Sequence, residues 1–347
     1  MAGHTMHRPD EPIVRMLVPR LYGGVPTLFG APLAETAEDL RGADVAFLGI
    51  PWRAPTPDSR TGSMTANYEG TALTPSQFRV NAIRYGGYLP ELDLDVFEHL
   101  RLVDRGDVDV SRDMRRTLET VERAIATLLE AGCIPITLGG NAGPSTYPVI
   151  KAIAARAGGP VAVLNLDAHA DNERGDWQED DPREPRWASS WVWRILGLPG
   201  VDPARFYHFG LRGPLNDRET FARFQERGVP REHVFTYREL KQARRAGFEE
   251  WAEALAREIA HGAAKVWIAI DPDVLDLSSN PDFGDDPLGP SAAEVIELVY
   301  QTARAAGREK FAGLALMAIP YTAQTLHHIC VYILLYALAG MITGPAT

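Results

Sequence analysis

Cysteine is nearly absent from this chain. Its two thiols, Cys133 and Cys330, lie far apart and neither has metal-ligand spacing around it. A disulfide framework and a thiolate metal site are therefore excluded, and two buried apolar thiols in a reducing compartment are expected. Basic charge is also in deficit: 35 Lys and Arg face 46 Asp and Glu, for a net charge of −11. With no basic stripe, nucleic acid is not an expected partner, whereas a small cation would be steered favourably. The opening MAGHTMHRPDEP has no apolar stretch after a basic start, so no signal peptide is expected and the chain is assigned to the cytoplasm. Long apolar runs are missing as well. Leu326 to Ile342 comes nearest, but His327 and His328 interrupt it short of about 18 clean apolar residues, which predicts a buried core helix and no membrane span. Gly and Pro, at 31 and 26 residues, stay below the roughly 25–30% of low-complexity sequence. Neither an internal repeat nor a Pro/Ser-rich linker divides the chain.

What the sequence does contain is a series of short, unalternating apolar runs that end in Gly or Asp. They are VAFLGIP (residues 45–51), IPITLGG (134–140), VAVLNLD (161–167), RFYHFG (205–210), VWIAID (266–271) and GLALMAI (313–319). Continuous apolar runs of this length fit strands buried on both faces of a parallel sheet, which needs helical crossovers. One such helix is expected from Ser111 as N-cap, through Leu118, Val121, Ile125, Leu128 and Leu129 at helical spacing, to Gly132. Another follows the capping box of Ser291 and Glu294. The alternation predicts one doubly wound α/β domain over residues 41–347, preceded by an N-terminal extension over 1–40. In such sheets ligands sit beyond the carboxyl ends of the strands, so the residues just after each run carry the candidate chemistry.

Two of those positions stand out. Asp167-Ala-His169-Ala-Asp171 follows VAVLNL, and Asp271-Pro-Asp273, with Asp276 close behind, follows VWIAI. Neighbouring carboxylates repel by about 4 kcal/mol per pair at 4 Å and an effective dielectric of 20. A divalent metal offsets this more readily than protonation does, because mixed O and N donors suit Mn, Ni, Zn or Fe.

Together DAHAD and DPDVLD resemble the ureohydrolase superfamily of arginase, agmatinase and their relatives. The resemblance extends to GVPTLFGAP (24–32), AFLGIPW, TPSQFR (74–79), VDRGDVDV (103–110) and the GLRG turn (210–213). It implies a three-layer α/β/α sandwich around a central parallel sheet, assembly into trimers or hexamers, and two metal ions sharing a hydroxide that attacks a guanidinium carbon to release urea. Carried onto this chain, it makes Asp167 and Asp271 bridging ligands, His169 and Asp273 the remaining ligands of one ion, and Asp171 a ligand of the other. The sixth ligand should be a His in a Gly-Gly-Asp-His turn, where this chain reads Gly139-Gly140-Asn141-Ala142. An alanine cannot ligate, so zero or one divalent ion (Mn, Ni or Zn) per chain is expected in place of two.

Two more departures follow. The position of the family's proton-shuttle His is matched here by Trp187, and the carboxylate that pairs with the guanidinium is matched by Ala318; no acidic residue lies between Gly313 and Thr347. No catalytic residue is assigned on this pattern. It resembles the ligand-deficient subunit of two-component metformin (dimethylbiguanide) hydrolases, which implies a complete ureohydrolase-like partner and a small cationic guanidino or biguanide substrate. Trp187 and Trp191 are candidate substrate contacts, with core packing an equal alternative. A working single-ion hydrolase, with Asn141 orienting water and His208 or His261 shuttling protons, is the competing expectation. A non-catalytic binder of small cations is a third.

Overall fold

A computed structural model describes residues 26–52, 70–111, 113–140, 142–174, 187–281 and 286–345. Apart from a small antiparallel pair, Tyr88–Leu89 with Leu94–Asp95, its strands are, in chain order, β1 (Val45–Gly49), β2 (Leu102–Asp107), β3 (Ile134–Leu138), β4 (Val161–Leu166), β5 (Val201–Leu211), β6 (Val234–Thr236), β7 (Lys265–Ile270) and β8 (Phe311–Leu316). They form one eight-stranded sheet in the order β2-β1-β3-β8-β7-β4-β5-β6, and every pairing is parallel. All six apolar runs are strands. The two others had escaped the hydrophobic pattern: β2 reads LVDRGD, and β6 is a three-residue edge strand.

Alternation along each strand divides its side chains between two buried clusters. Val45 and Phe47 face one, Ala46 and Leu48 the other. Helices α1 (Thr74–Ala82), α5 (Phe248–Ala260), α6 (Ala292–Lys310) and α7 (Gln324–Thr343) contribute to the first cluster, and α2 (Met114–Glu130), α3 (Ala142–Ala154) and α4 (Trp187–Ile195) to the second. The architecture is thus the expected α/β/α sandwich. Ser291 and Glu294 cap α6 reciprocally, as their spacing predicts. The N-cap of α2 is Asp113, whose side chain accepts from Arg116 N, and not Ser111; the Ser111 hydroxyl instead accepts from Asp113 N at 3.1 Å, two residues too early to cap.

Part of the stretch expected as an extension belongs to this core. Leu28 and Phe29 are fully buried, and Leu28 N donates to Asp104 Oδ2 at 2.7 Å. Arg79 of α1 reaches the same carboxylate through Nε at 2.8 Å and Nη2 at 3.0 Å, and also pairs with Asp107. The TPSQFR and VDRGD segments therefore join an N-terminal turn, a helix and an outer strand through one buried ion pair. Helix α7 is long and apolar enough to span a bilayer, at mean hydropathy 1.7, yet 67% of that window is buried inside the fold. It is a core helix, and Cys330 on it is fully buried.

The register at the carboxyl ends of the central strands sets up the site. Gly139 N donates to Leu316 O, Met317 N to Ile270 O, Asp271 N to Leu166 O and Asp167 N to Phe209 O. Each strand thus hands on to its neighbour, and the turns after β3, β8, β7 and β4 emerge side by side.

Candidate metal centre

Asp167 is the first residue beyond β4, and Asp271 the first beyond β7. Asp271 N-caps a short 3-10 turn, Pro272–Val274, through Asp273 N, which turns Asp273 back toward the DAHAD loop. There Asp273 Oδ1 accepts from Ala168 N at 3.0 Å. His169 Nδ1 lies 2.8 Å from Asp273 Oδ2 and 3.8 Å from Asp167 Oδ1. Asp167, His169 and Asp273 present donor atoms that all lie within 4.8 Å of one another. Asp167 Oδ2 is buried without a hydrogen-bond partner, and Asp273 Oδ2, also buried, has only the 2.8 Å ion pair with His169. A buried carboxylate oxygen left unpartnered is costly. These two oxygens, converging with an imidazole nitrogen, fit a divalent cation.

Charge in the cluster points the same way. Burial, then the neighbouring Asp273, Asp171 and Asp271, push Asp167 well above the usual carboxylate range. Burial and Asp273 do the same to Asp271. Burial raises Asp171 to about 7, against the pull of His169. Asp273 is held low, because His169 and the Ala168 N–H outweigh its burial. Burial alone would depress His169, but Asp273, Asp286 and Asp167 raise it to about 12. The imidazolium is thus the resident positive charge of the cluster, and a metal would compete with its Nδ1 proton.

Asp171 and Asp271 stand beside this trio without joining it. Asp171 has a left-handed backbone (φ 45°), and its Oδ2 accepts from Trp191 Nε1 at 2.9 Å. Trp191 is fully buried, so it is no substrate contact: its ring packs in the core, and its one polar atom is used on a carboxylate. Trp187 opens α4, but its side chain, like Asn141, lies outside the described residues. Ala142 opens α3 and is buried in the apolar cluster that also holds Ala170 and Trp191. Ala318 is buried with φ 56°, and its N–H donates to Gly140 O at 2.8 Å. The two alanines thus flank the same corner between β3 and β8.

The suggested shuttles are not placed for that work. His208 is fully buried with both ring nitrogens engaged, one at 3.1 Å from Asn165 Nδ2 and the other at 3.1 Å from Asp167 O, and burial lowers it to about 3. His261 closes α5 ahead of β7, at the amino-terminal end of the strands and away from the site. Asp276 accepts from Ser278 Oγ and Ser279 N and serves a turn.

Three residues that sequence reasoning missed hold the centre together. Asp286 Oδ2 lies 3.0 Å from His169 Nε2, the arrangement that orients a metal-binding imidazole. Arg212, from the GLRG turn, donates to the carbonyls of Gly210, Asp273, Val274, Leu275, Asp286 and Pro287. Asn216 accepts from Ala170 N at 3.0 Å and donates to Ala168 O at 2.9 Å, bracing the DAHAD loop. The GLRG motif pointed toward Arg212; Asp286 and Asn216 carried no comparable signal.

The chain has relatives among known proteins. A guanidino acid hydrolase of mouse mitochondria is 31% identical over 192 residues, 55% of this chain; the match spans 48% of the mouse protein's length. The agmatinase of Bacillus subtilis is 29% identical over 260 residues, covering 74% of this chain and 81% of the relative. Among solved structures, Trypanosoma cruzi formiminoglutamase with Mn2+ superposes with a TM-score of 0.72 at 22% identity, over 92% of this chain and 99% of that one. Residues 43–317 match the arginase family throughout, and the chain belongs to that family.

Proposed function

We propose that this chain is a one-cation, catalytically deficient subunit of a heteromeric, metal-dependent hydrolase of guanidino or biguanide (metformin-type) compounds. The observation that carries this reading is the asymmetry of the centre. Asp167, His169 and Asp273 converge with two buried carboxylate oxygens, that of Asp167 without a hydrogen bond, whereas position 142 offers a methyl group in apolar packing. The guanidino compounds in the names of the matched hydrolases support the substrate class, and the net charge of −11 favours a cationic one. Manganese, nickel or zinc held by Asp167, His169 and Asp273 would supply Lewis acidity and lower the pKa of a water it binds.

The remaining residues here bind and orient. Asp286 fixes the His169 ring, and Arg212 and Asn216 fix the loops on either side of it. With Ala318 where the resemblance places a carboxylate, no acidic side chain between Gly313 and Thr347 can pair with a guanidinium. A complete ureohydrolase-like partner in a cytoplasmic trimer or hexamer would supply that group. The intact donor set for one ion favours a second reading, a single-ion hydrolase active alone on an unusual guanidino or amidine compound. Metal analysis and urea release separate the two. The first reading expects about one ion per chain, no turnover alone, and turnover after mixing with a complete ureohydrolase chain from the same source. Turnover by the isolated chain would replace it with the second.

A further inference from the structure

We infer that Trp191 limits the centre to one cation, by committing to its indole N–H the carboxylate oxygen of Asp171 that a second cation would need. The inference deepens the one-cation reading above and rests on it. It starts from the way α4 docks onto the DAHAD loop. Trp191 Nε1 donates to Asp171 Oδ2 at 2.9 Å, Val192 N donates to Asp171 O at 3.0 Å, and Glu173 N donates to Ser189 O at 2.9 Å. With Ser189 Oγ donating to Glu173 Oε2 at 3.1 Å, four bonds join the helix to the loop, two of them at Asp171. Both partners are held in place: Trp191 has no exposed surface, and the backbone of Asp171 sits at φ 45°, a conformation that non-glycine residues adopt only when their surroundings impose it.

The consequence is a division of labour among the carboxylates. The facing oxygens of Asp167 and Asp273 lie in the trio with His169, while Oδ2 of Asp171 already accepts from a neutral donor. An indole N–H supplies the bond without charge, so it turns the Asp171 carboxylate toward the helix and competes with any ion for Oδ2. On the far side of the corner, Ala142 and Ala170 belong to the apolar cluster that buries the Trp191 ring. The half of the centre that a second ion would occupy has become packing plus one hydrogen bond. Loss of a ligand at position 142 is then only half of the change. Restoring an imidazole there would still leave Asp171 tied to the helix.

The test is Mn2+ binding, followed by calorimetry and by metal analysis after gel filtration, for the full chain and for Trp191→Phe, Ala142→His and the double variant. Phenylalanine keeps an aromatic ring and removes the donor together with part of the indole's buried volume. The expected ratios are about one ion for the wild type, W191F and A142H, and about two for A142H/W191F. A second ion bound by A142H alone, or a folded double variant that stays at one, would overturn the role of Trp191. The wild-type ratio separately tests the reading beneath it: zero or two ions there removes the one-cation centre, whatever the variants do.

A second measurement needs no folded variant at position 142. In protein labelled with 15N-tryptophan, the Trp191 indole resonance, assigned by its absence in W191F, should keep its hydrogen-bonded position when Zn2+ saturates the chain. Movement to the position of a free indole would mean that the ion draws Asp171 away from Trp191, against the inference.

Discussion

His169 is held from both sides by carboxylates, Asp273 at Nδ1 and Asp286 at Nε2, so the orientation of the ring is set by residues more than a hundred positions away in sequence. Orientation matters because a metal takes one nitrogen while the other anchors the ring. Replacing Asp286 with Ala is predicted to weaken Mn2+ binding by roughly ten- to a hundredfold, as read by calorimetry, with the secondary structure unchanged; an unaltered affinity would show that packing alone orients the imidazole. A different histidine sets an acid limit on the fold. His327 is fully buried, with Nε2 3.0 Å from Pro320 O and Nδ1 2.9 Å from Asn81 Nδ2. Burial, partly opposed by that carbonyl, lowers it from 6.5 to about 4. A pKa depressed by folding leaves its contribution to stability intact above pH 6.5 and removes it as the pH falls through about 4. Full protonation then costs on the order of 3 kcal/mol. His327→Gln should flatten the stability profile between those two pH values in chemical denaturation. A profile parallel to the wild type would place the acid sensitivity on other groups.

At the scale of elements, the loops after β4 and β7 have little regular structure, and Arg212 makes up for it. Its guanidinium satisfies carbonyls on both the DPDVLD turn and the Asp286 segment. Arg212→Leu would leave those buried acceptors unpaired, a loss of about 3 kcal/mol or more. Urea denaturation gives the number directly, and a loss below about 1 kcal/mol would mean that water takes over the carbonyls. This arrangement also explains what could be read from the sequence. Asp167, His169 and Asp171 were legible because one strand end carries them together, and Asp271 and Asp273 for the same reason. Asp286 was not, because twelve residues separate it from Asp273 and only the fold brings it to His169. Trp191 showed as an aromatic residue near the site, but its partner depended on the docking of α4. Strand β2 was hidden by its own charges, which look solvent-exposed in sequence and are consumed in the fold by Arg79.

For the molecule as a whole, the sheet order places the donors at its middle. Strands β4 and β7 are neighbours near the centre, each bonded along its length to further strands, while α7 and α6 cover the adjoining face. An ion shared by Asp167, His169 and Asp273 would therefore join two central strands and relieve the repulsion stored among buried carboxylates. Binding to the folded chain alone stabilises it by mass action, about 2.7 kcal/mol when free ion exceeds the dissociation constant a hundredfold. In a domain of this size that corresponds to a rise of roughly 3–6 °C in Tm. The expected result is such a rise with Mn2+, its reversal by a chelator, and its absence in Asp273→Asn. The comparison with that variant decides the location of the ion. Equal shifts in both proteins would place it outside the trio, whereas a shift confined to the wild type ties the stability of the sheet to the buried, converging oxygens of Asp167 and Asp273.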